Sequence, residues 1–309
     1  MQGVVIKSTG SWYIVKTKSD EILNCRIRGK FRIKGIKSTN PIVVGDQVVL
    51  EKEEESYLIT KLIDRKNYIV RKSVNLSKQT HIIASNIDQA ILMVTLKSPI
   101  TSTGFIDRFL VGARSYGIEV IMLFNKSDLL NKEEKIKLNE LHKVYEAIGY
   151  SCFSMSVLQD DLSDLKTKMK SKVNVICGHS GVGKSTLLNV LQPSLQINTQ
   201  EVSSQHQQGQ HTTTFSQMHE LDFGAKIIDT PGIRGFGLVE IERNELYHFF
   251  PEFFAIKSSC KYNNCIHHKE PNCGVKKAVE QQKIAASRYN SYLNMLELED
   301  ENYRINKFE

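Results

Sequence analysis

The 309-residue sequence predicts a multidomain chain with an N-terminal β-barrel, a central α/β domain and a C-terminal, mostly α segment that holds a metal. Three observations predict it. Short β-type runs punctuated by Gly, Asn, Pro and Asp fill roughly the first seventy residues. From about Ala84 the pattern changes to alternating apolar strands and amphipathic helices. Three of the six cysteines then crowd into fourteen residues near the C-terminus. The expected boundaries are 1–72, 73–237 and 238–309, and the length suits two or three small domains better than one. Hydrophobic residues at 40% and charged residues at 24% allow a buried core. No run of 18 apolar residues is present, which excludes a transmembrane helix. The opening MQGVVIKSTG lacks the basic and apolar regions of a secretory signal. A cytoplasmic monomer with no membrane partner is therefore expected.

GVVIKS, SWYIVKT, ILNCRIRG, DQVVLEKE and YLITKLI read as five strands. Five strands in so short a segment fit an OB-type barrel, a frequent nucleic-acid binder; a small barrel used for protein contacts fits the same strings. From Met1 to Lys72 there are fifteen Lys and Arg against eight Asp and Glu, so this end carries a surplus of seven, equal to the net charge of the whole chain. A basic end on a neutral body points to a polyanion, and a merely solvated surface is the alternative. The string RIRGKFRIKGIK would supply phosphate contacts to RNA.

In the centre, IDQAILMVTL, EVIMLFN, YSCFSMS, KVNVICG and AKIIDT read as strands, and FIDRFLVGARSYG, KEEKIKLNELHKVYEAIG, DLSDLKTKMK and KSTLLNVLQ as helices. This alternation argues a parallel doubly wound sheet with its ligand at the carboxyl ends of the strands. The stretch from Pro193 to Thr214 is polar and long for a connection, and reads as a functional loop. After Gly237, ERNELYHFFPEF reads as a helix with an apolar face, and VKKAVEQQKIAASRYNSYLNMLELED as one terminal amphipathic helix.

GHSGVGKS fits the phosphate-loop pattern between a strand and a helix, where the mechanism requires it. Backbone N–H groups of Gly178, His179, Ser180, Gly181, Val182 and Gly183 can approach phosphate oxygens, and the helix N-terminus adds a favourable dipole. Lys184 brings a positive charge to the β- and γ-phosphates, Ser185 a hydroxyl to Mg²⁺, and Thr186 completes the expected nucleotide contacts. In DTPG, Asp229 at a strand end can hold Mg²⁺ through water, and the Gly232 N–H can meet a γ-phosphate. The same four residues would also make a good turn. In NKSD, Asp128 can accept both N1–H and N2–H of guanine, Asn125 can brace the loop, and the Lys126 stem can lie on the base. Ser127 or Asp128 could alternatively cap the following helix.

These three strings resemble the motifs of translation-factor-type GTPases, but Asn125–Asp128 precedes Gly178–Ser185, so the order is circularly permuted. Ser156 then falls in the last base-contacting loop, where the usual Ser-Ala reads Ser-Val. NKSD, GHSGVGKST, GQHTTT, DTPG and C-x₄-C-x-H-x₅-C, in that order, resemble the RsgA (YjeQ/YloQ) family of small ribosomal subunit biogenesis GTPases over essentially the whole chain. The resemblance implies a central P-loop GTPase domain with permuted motif order, Mg²⁺ with bound GTP, and the small subunit and its rRNA as partners.

Three thiolates and an imidazole suit one structural Zn²⁺. The family pattern selects Cys260, Cys265, His267 and Cys273, with His268 as the competing ligand. Because the nucleotide strings lie elsewhere, GTP binding is expected to survive loss of the metal. GQHTTT resembles the family's switch, from which Thr213 is expected to reach Mg²⁺. Ile233 follows Gly232 where many GTPases place a water-orienting Gln, so slow intrinsic turnover is expected. His211 is the candidate to orient water in its stead, beside Lys184 as the other catalytic group; a packing or RNA-contact role for His211 is the alternative. The resulting expectation is a GTPase that assists late maturation of the small subunit and is released by hydrolysis. A nucleotide-switched rRNA-binding module with negligible hydrolysis is the runner-up. An ATPase or nucleotide kinase is disfavoured by NKSD.

Overall fold

In a computed structural model of the chain, the described residues are 1–9, 12–27, 41–53, 56–72, 80–197, 216–229 and 241–305. The N-terminal unit is a closed barrel of β1 (Gln2–Ser8), β2 (Tyr13–Thr17), β3 (Ile22–Ile27), β4 (Gln47–Glu53) and β5 (Ser56–Leu62). The strands close in the order β1-β2-β3-β5-β4-β1, with β3 and β5 parallel and the other pairs antiparallel. This is the strand order of the OB-type barrel expected above. Period-two alternation sends Val5, Tyr13, Val15, Val48, Leu50 and Ile59 inward.

A hairpin of β6 (Tyr68–Lys72) and β7 (Thr80–Ser85) follows and straddles position 72. It escaped the sequence reading because its strands flank the long polar run 72–80. The hairpin is welded to the barrel by a buried ion pair. Arg65 donates from Nε to Asp46 Oδ1 and from Nη2 to Asp46 Oδ2, both at 2.7 Å, and Ser85 donates its hydroxyl to the same carboxylate at 2.6 Å. Gly45 sits here at φ 95°, and a Cβ on it would lie 2.0 Å from the Ser85 carbonyl oxygen, so only glycine permits this approach.

The central sheet contains β8 (Gln89–Val94), β9 (Glu119–Phe124), β10 (Ser151–Ser154), β11 (Val173–Cys177), β12 (Gln217–Glu220) and β13 (Lys226–Asp229), in the order β10-β9-β8-β11-β13-β12. The first five in that order are parallel, as expected. Strand β8 is buried at every position, which explains its unbroken apolar run. Helices α1 (Thr103–Ser115) and α2 (Lys132–Ala147) cover one face through Phe109, Leu110, Leu138 and Tyr145. Helices α3 (Ser163–Met169) and α4 (Lys184–Leu191) cover the other through Leu165, Met169, Leu187 and Leu191.

The sheet departs from the wholly parallel expectation at β12. That strand runs antiparallel to β13 and to β1 of the barrel, with Lys7 opposite Gln217 and Gln217 opposite Asp229. Barrel and central sheet are therefore hydrogen-bonded into one surface. Only Met218 of β12 is buried, so no apolar run announces it.

The C-terminal unit is mostly helical, with α5 (Pro251–Ile256), α6 (Gly274–Glu280) and α7 (Ala286–Ile305). The single terminal helix expected from periodicity is two helices, broken where Gln282 takes φ 57°. The break lets Ile284 turn into the core beside Phe250, Phe253 and Tyr292. Among the described residues, no helix is long and apolar enough to cross a membrane.

Candidate nucleotide site and metal centre

The carboxyl ends of β9, β10 and β11 bring three loops together. Gly178–Gly183 follows β11 and opens α4 at Lys184. Asn125 follows β9, is 7% exposed, and donates from Nδ2 to the Val182 carbonyl at 2.8 Å. Its Oδ1 accepts the Val157 N–H at 3.0 Å. One side chain thus ties the phosphate-type loop to the loop holding Ser156. The tie needs Gly183, at φ 105°, because a Cβ there would lie 2.6 Å from Asn125 Nδ2.

Lys126 stands in left-handed backbone at φ 63° and donates to the Gly181 carbonyl at 2.8 Å and to the Ser98 carbonyl. Burial pushes its ammonium below the usual lysine range. Asp128 lies exposed on a single 3-10 turn, Ser127–Leu129, with its carboxylate free of a described hydrogen bond. Ser156 is buried, and its N–H donates to Asp160 Oδ2 at 2.6 Å. Lys184 folds back over its own loop, donating to the carbonyls of Gly178 at 2.9 Å and His179 at 2.7 Å. The His179 ring lies against Phe105 of α1, with centroids 3.9 Å apart. Ser180, Gly181, Ser185 and Thr186 occupy the same loop and the first turn of α4. Asp229 ends β13, but its side chain, together with His211, Thr213 and Gly232, lies outside the described residues.

Asp160 and Phe105 were not singled out from the sequence. Asp160 carries the weak signal of an acid four residues after Ser156; Phe105 carries none, because its contact is made across the fold.

The second centre lies in the C-terminal unit. Cys260, Cys265, His267 and Cys273 have ligand atoms all within 4.8 Å of one another. His267 Nδ1 is 3.5, 3.5 and 3.4 Å from Sγ of Cys260, Cys265 and Cys273, and the sulfurs of Cys260 and Cys273 are 3.9 Å apart. Tetrahedral zinc with ordinary bond lengths would require about 3.6 Å for N···S and about 3.8 Å for S···S. These four separations match the edges of a zinc-sized tetrahedron with the donors at its corners.

The turn that presents His267 is braced. Glu270 accepts the N–H groups of Ile266 and His268, both at 2.8 Å. On α7, Tyr289 donates to the His267 carbonyl at 2.9 Å and Tyr292 to that of Ile266. His268 points elsewhere, with Nδ1 at 3.3 Å from Arg243 Nη2. Burial pushes the His267 imidazole down to about 4 and the Cys265 thiol up to about 12. A neutral imidazole beside desolvated thiols is a set that a divalent cation would complete.

A phosphate-type loop on a permuted α/β sheet, joined to a closed five-stranded barrel and a Cys₃His cluster, defines a P-loop nucleotide-binding protein of unusual motif order. Family comparison narrows this. The RsgA GTPase model matches residues 62–239, and the RsgA N-terminal domain model matches residues 2–57. The chain belongs to the RsgA GTPase family. It is 55% identical to the small ribosomal subunit biogenesis GTPase RsgA of Flavobacterium psychrophilum, over 98% of this chain and 95% of that one. It is 52% identical to the protein of the same name from Christiangramia forsetii, over the full length of both. Among solved structures, YjeQ from Thermotoga maritima matches with a TM-score of 0.79 and 36% identity, covering 96% of each chain. YloQ, described as a circularly permuted GTPase, matches with a TM-score of 0.76 and 31% identity over 97% of this chain and 95% of its own.

Proposed function

We propose that this chain is a GTP hydrolase that binds the small ribosomal subunit during its late maturation and leaves it after hydrolysis. The observation that carries the reading is the Asn125 bridge, which sets the NKSD loop beside the phosphate-type loop although 57 residues of chain separate Asn125 from Val182. Full-length relatives that carry the name support the ribosomal part.

In this reading Asp128 accepts the two guanine donors, and the Lys126 stem and Ser156 flank the base. Residues 178–186 cradle the phosphates. Ser185 and Thr213 hold Mg²⁺ and Asp229 reaches it through water, while the Gly232 N–H meets the γ-phosphate. Lys184 leaves the Gly178 and His179 carbonyls for the β- and γ-phosphates, where its charge stabilises the transition state. His211 orients the attacking water, because Ile233 has no polar atom to do so. Cys260, Cys265, His267 and Cys273 hold one zinc, which fixes the module's fold and leaves no open position for substrate. The barrel binds rRNA through phosphate contacts, with exposed Lys18, Arg26, Lys52 and Lys61 among its described cations. The division into 1–72, 73–237 and 238–309 assigns RNA binding, hydrolysis and zinc binding in turn. The protein acts as a cytoplasmic monomer.

Nucleotide competition with co-sedimentation tests this. GTP and GDP should displace a fluorescent guanine nucleotide and ATP should not, and the GTP-loaded protein should pellet with isolated small subunits. Equal displacement by ATP, or no pelleting in the GTP state, would sink it.

A further inference from the structure

The candidate nucleotide loop and the metal-type cluster are linked by side-chain contacts that run through the backbones of α7 and α1. At one end, Tyr289 of α7 donates to the carbonyl of His267, one of the four clustered donors, at 2.9 Å. The preceding residue on α7, Arg288, is 1% exposed and donates from Nη1 to Asp107 of α1 at 2.7 Å. It also grips Glu252 of α5 through Nε at 2.7 Å and Nη2 at 3.2 Å. Asp107 is fully buried and also accepts the Tyr145 hydroxyl at 2.7 Å. One turn further along α1, Val111 is part of the C-terminal unit's own core, with Phe250 and Tyr292. Two residues before Asp107, Phe105 packs against the His179 ring in a tilted pair, with centroids 3.9 Å apart and planes at 34°. The carbonyl of that same His179 accepts Lys184 at 2.7 Å.

We propose that Phe105 is a positioning residue for the phosphate loop, and that α1, which carries it, couples nucleotide binding to occupation of the Cys₃His cluster. The proposal rests on reading residues 178–185 as the phosphate loop. Its physical basis is that α1 belongs to two cores at once. Its Phe105 end bears on the nucleotide loop, while Asp107 and Val111 are locked into the helical unit. A buried Arg–carboxylate cluster holds one geometry or none, because a displaced arginine would leave two desolvated acids unpaired. When the cluster loses its cation, the turn around His267 keeps only its Glu270 brace, and the carbonyls that Tyr289 and Tyr292 grip are held less firmly. Asp107 then loses its fixed partner, α1 relaxes, and Phe105 no longer holds His179 in place. Coupling of this kind is reciprocal, so nucleotide should also tighten the metal. GTP binding would still survive loss of the metal, as the motif positions lead one to expect, but at reduced affinity.

The test is the GTP dissociation constant of the full chain, measured zinc-loaded and after stripping with a chelator, for the wild type, Phe105→Leu and Phe105→Tyr. Phe105 is half-buried, so leucine keeps the apolar cover of α1 and removes only the ring. Stripping should weaken GTP binding by the wild type about five-fold or more, within the usual range for coupled sites. Phe105→Leu should already be weakened by a similar factor when loaded, and should lose little more on stripping. Phe105→Tyr, which restores a ring, should behave as the wild type. The chelator concentration that removes half the zinc should rise with GTP present in the wild type and not in Phe105→Leu. Wild-type GTP affinity that is the same loaded and stripped would overturn the proposal, as would a Phe105→Leu protein that responds to stripping as fully as the wild type. A loaded wild type that binds no GTP would instead remove the nucleotide reading on which the proposal rests.

Discussion

At the scale of single residues, the site depends on which atoms face one another across loops. Asp128 is exposed and uncommitted, as a base-reading carboxylate must be before its ligand arrives. Exchanging it for Asn replaces one acceptor by a donor opposite a guanine donor. Hydrogen bonds to charged groups contribute about 1.5–3 kcal/mol each. Asp128→Asn should therefore lose about ten- to hundred-fold in GTP affinity and gain affinity for xanthine nucleotide; titration of both nucleotides checks it, and unchanged GTP binding would remove Asp128 from the site. Gly183→Ala makes a second prediction. The alanine would have to hold a left-handed φ, costing about 1–2 kcal/mol, and its Cβ would press on Asn125 Nδ2. Nucleotide affinity should fall by about ten-fold or more, while the melting temperature falls by only about 2–8 °C, the strain spread over a large cooperative unit. An affinity equal to wild type would dismiss the Asn125 tie as incidental. The NKSD and phosphate-type strings were legible because each is contiguous in the chain, and the fold sets the two loops side by side. Phe105 was not, because its contact with His179 is made across the fold, and Asp160 left only the weak signal of an acid four residues after Ser156.

At the scale of elements, periodic segments were legible and short or broken ones were not. Strand β8 and helices α1 and α2 have long apolar faces, so their burial is written in their spacing. Strand β12 has one buried residue, and the α6–α7 break has neither Gly nor Pro to mark it. Most unforeseen is the polar seam between helices, where α1 buries an acid and α7 an arginine. Arg288→Met should destabilise the C-terminal unit by about 3–5 kcal/mol, because it strands Asp107 and Glu252 without a cation. Burial already pushes the Asp107 carboxyl above the usual range, with Arg288 opposing that shift. Removing the arginine lets it rise further, and a carboxyl raised in the folded state costs stability as pH rises through its folded value. The melting-temperature gap between Arg288→Met and wild type should thus widen as pH rises and narrow on acidification. A gap independent of pH would show that lost packing, not stranded charge, governs the variant. The metal makes the companion prediction. Protein prepared without chelator should hold one zinc per chain, and Cys265→Ser should lose it and melt earlier; elemental analysis without zinc would exclude the site.

At the scale of the whole molecule, β1–β12 pairing joins barrel and central sheet, and the Asp46–Arg65–Ser85 contact ties the β6–β7 hairpin to the barrel. Deleting the barrel would therefore wound the sheet, and charge substitutions are the cleaner probe. Replacing Lys18, Arg26 and Lys61 by Gln should weaken small-subunit association and flatten its salt dependence by about one unit of slope per lost phosphate contact. An unchanged slope would place the RNA contact elsewhere.

The central claim, a hydrolase completed by its ribosomal partner, is tested most directly by single-turnover GTP hydrolysis titrated with isolated small subunits. With Ile233 in place of a water-orienting Gln, the rate alone should be slow and should climb steeply to a plateau as subunits are added. Supplying missing transition-state groups is worth about 10³–10⁵-fold in other GTPases, so a large rise is physically available. A rate at saturating subunits equal to the rate without them would contradict the account.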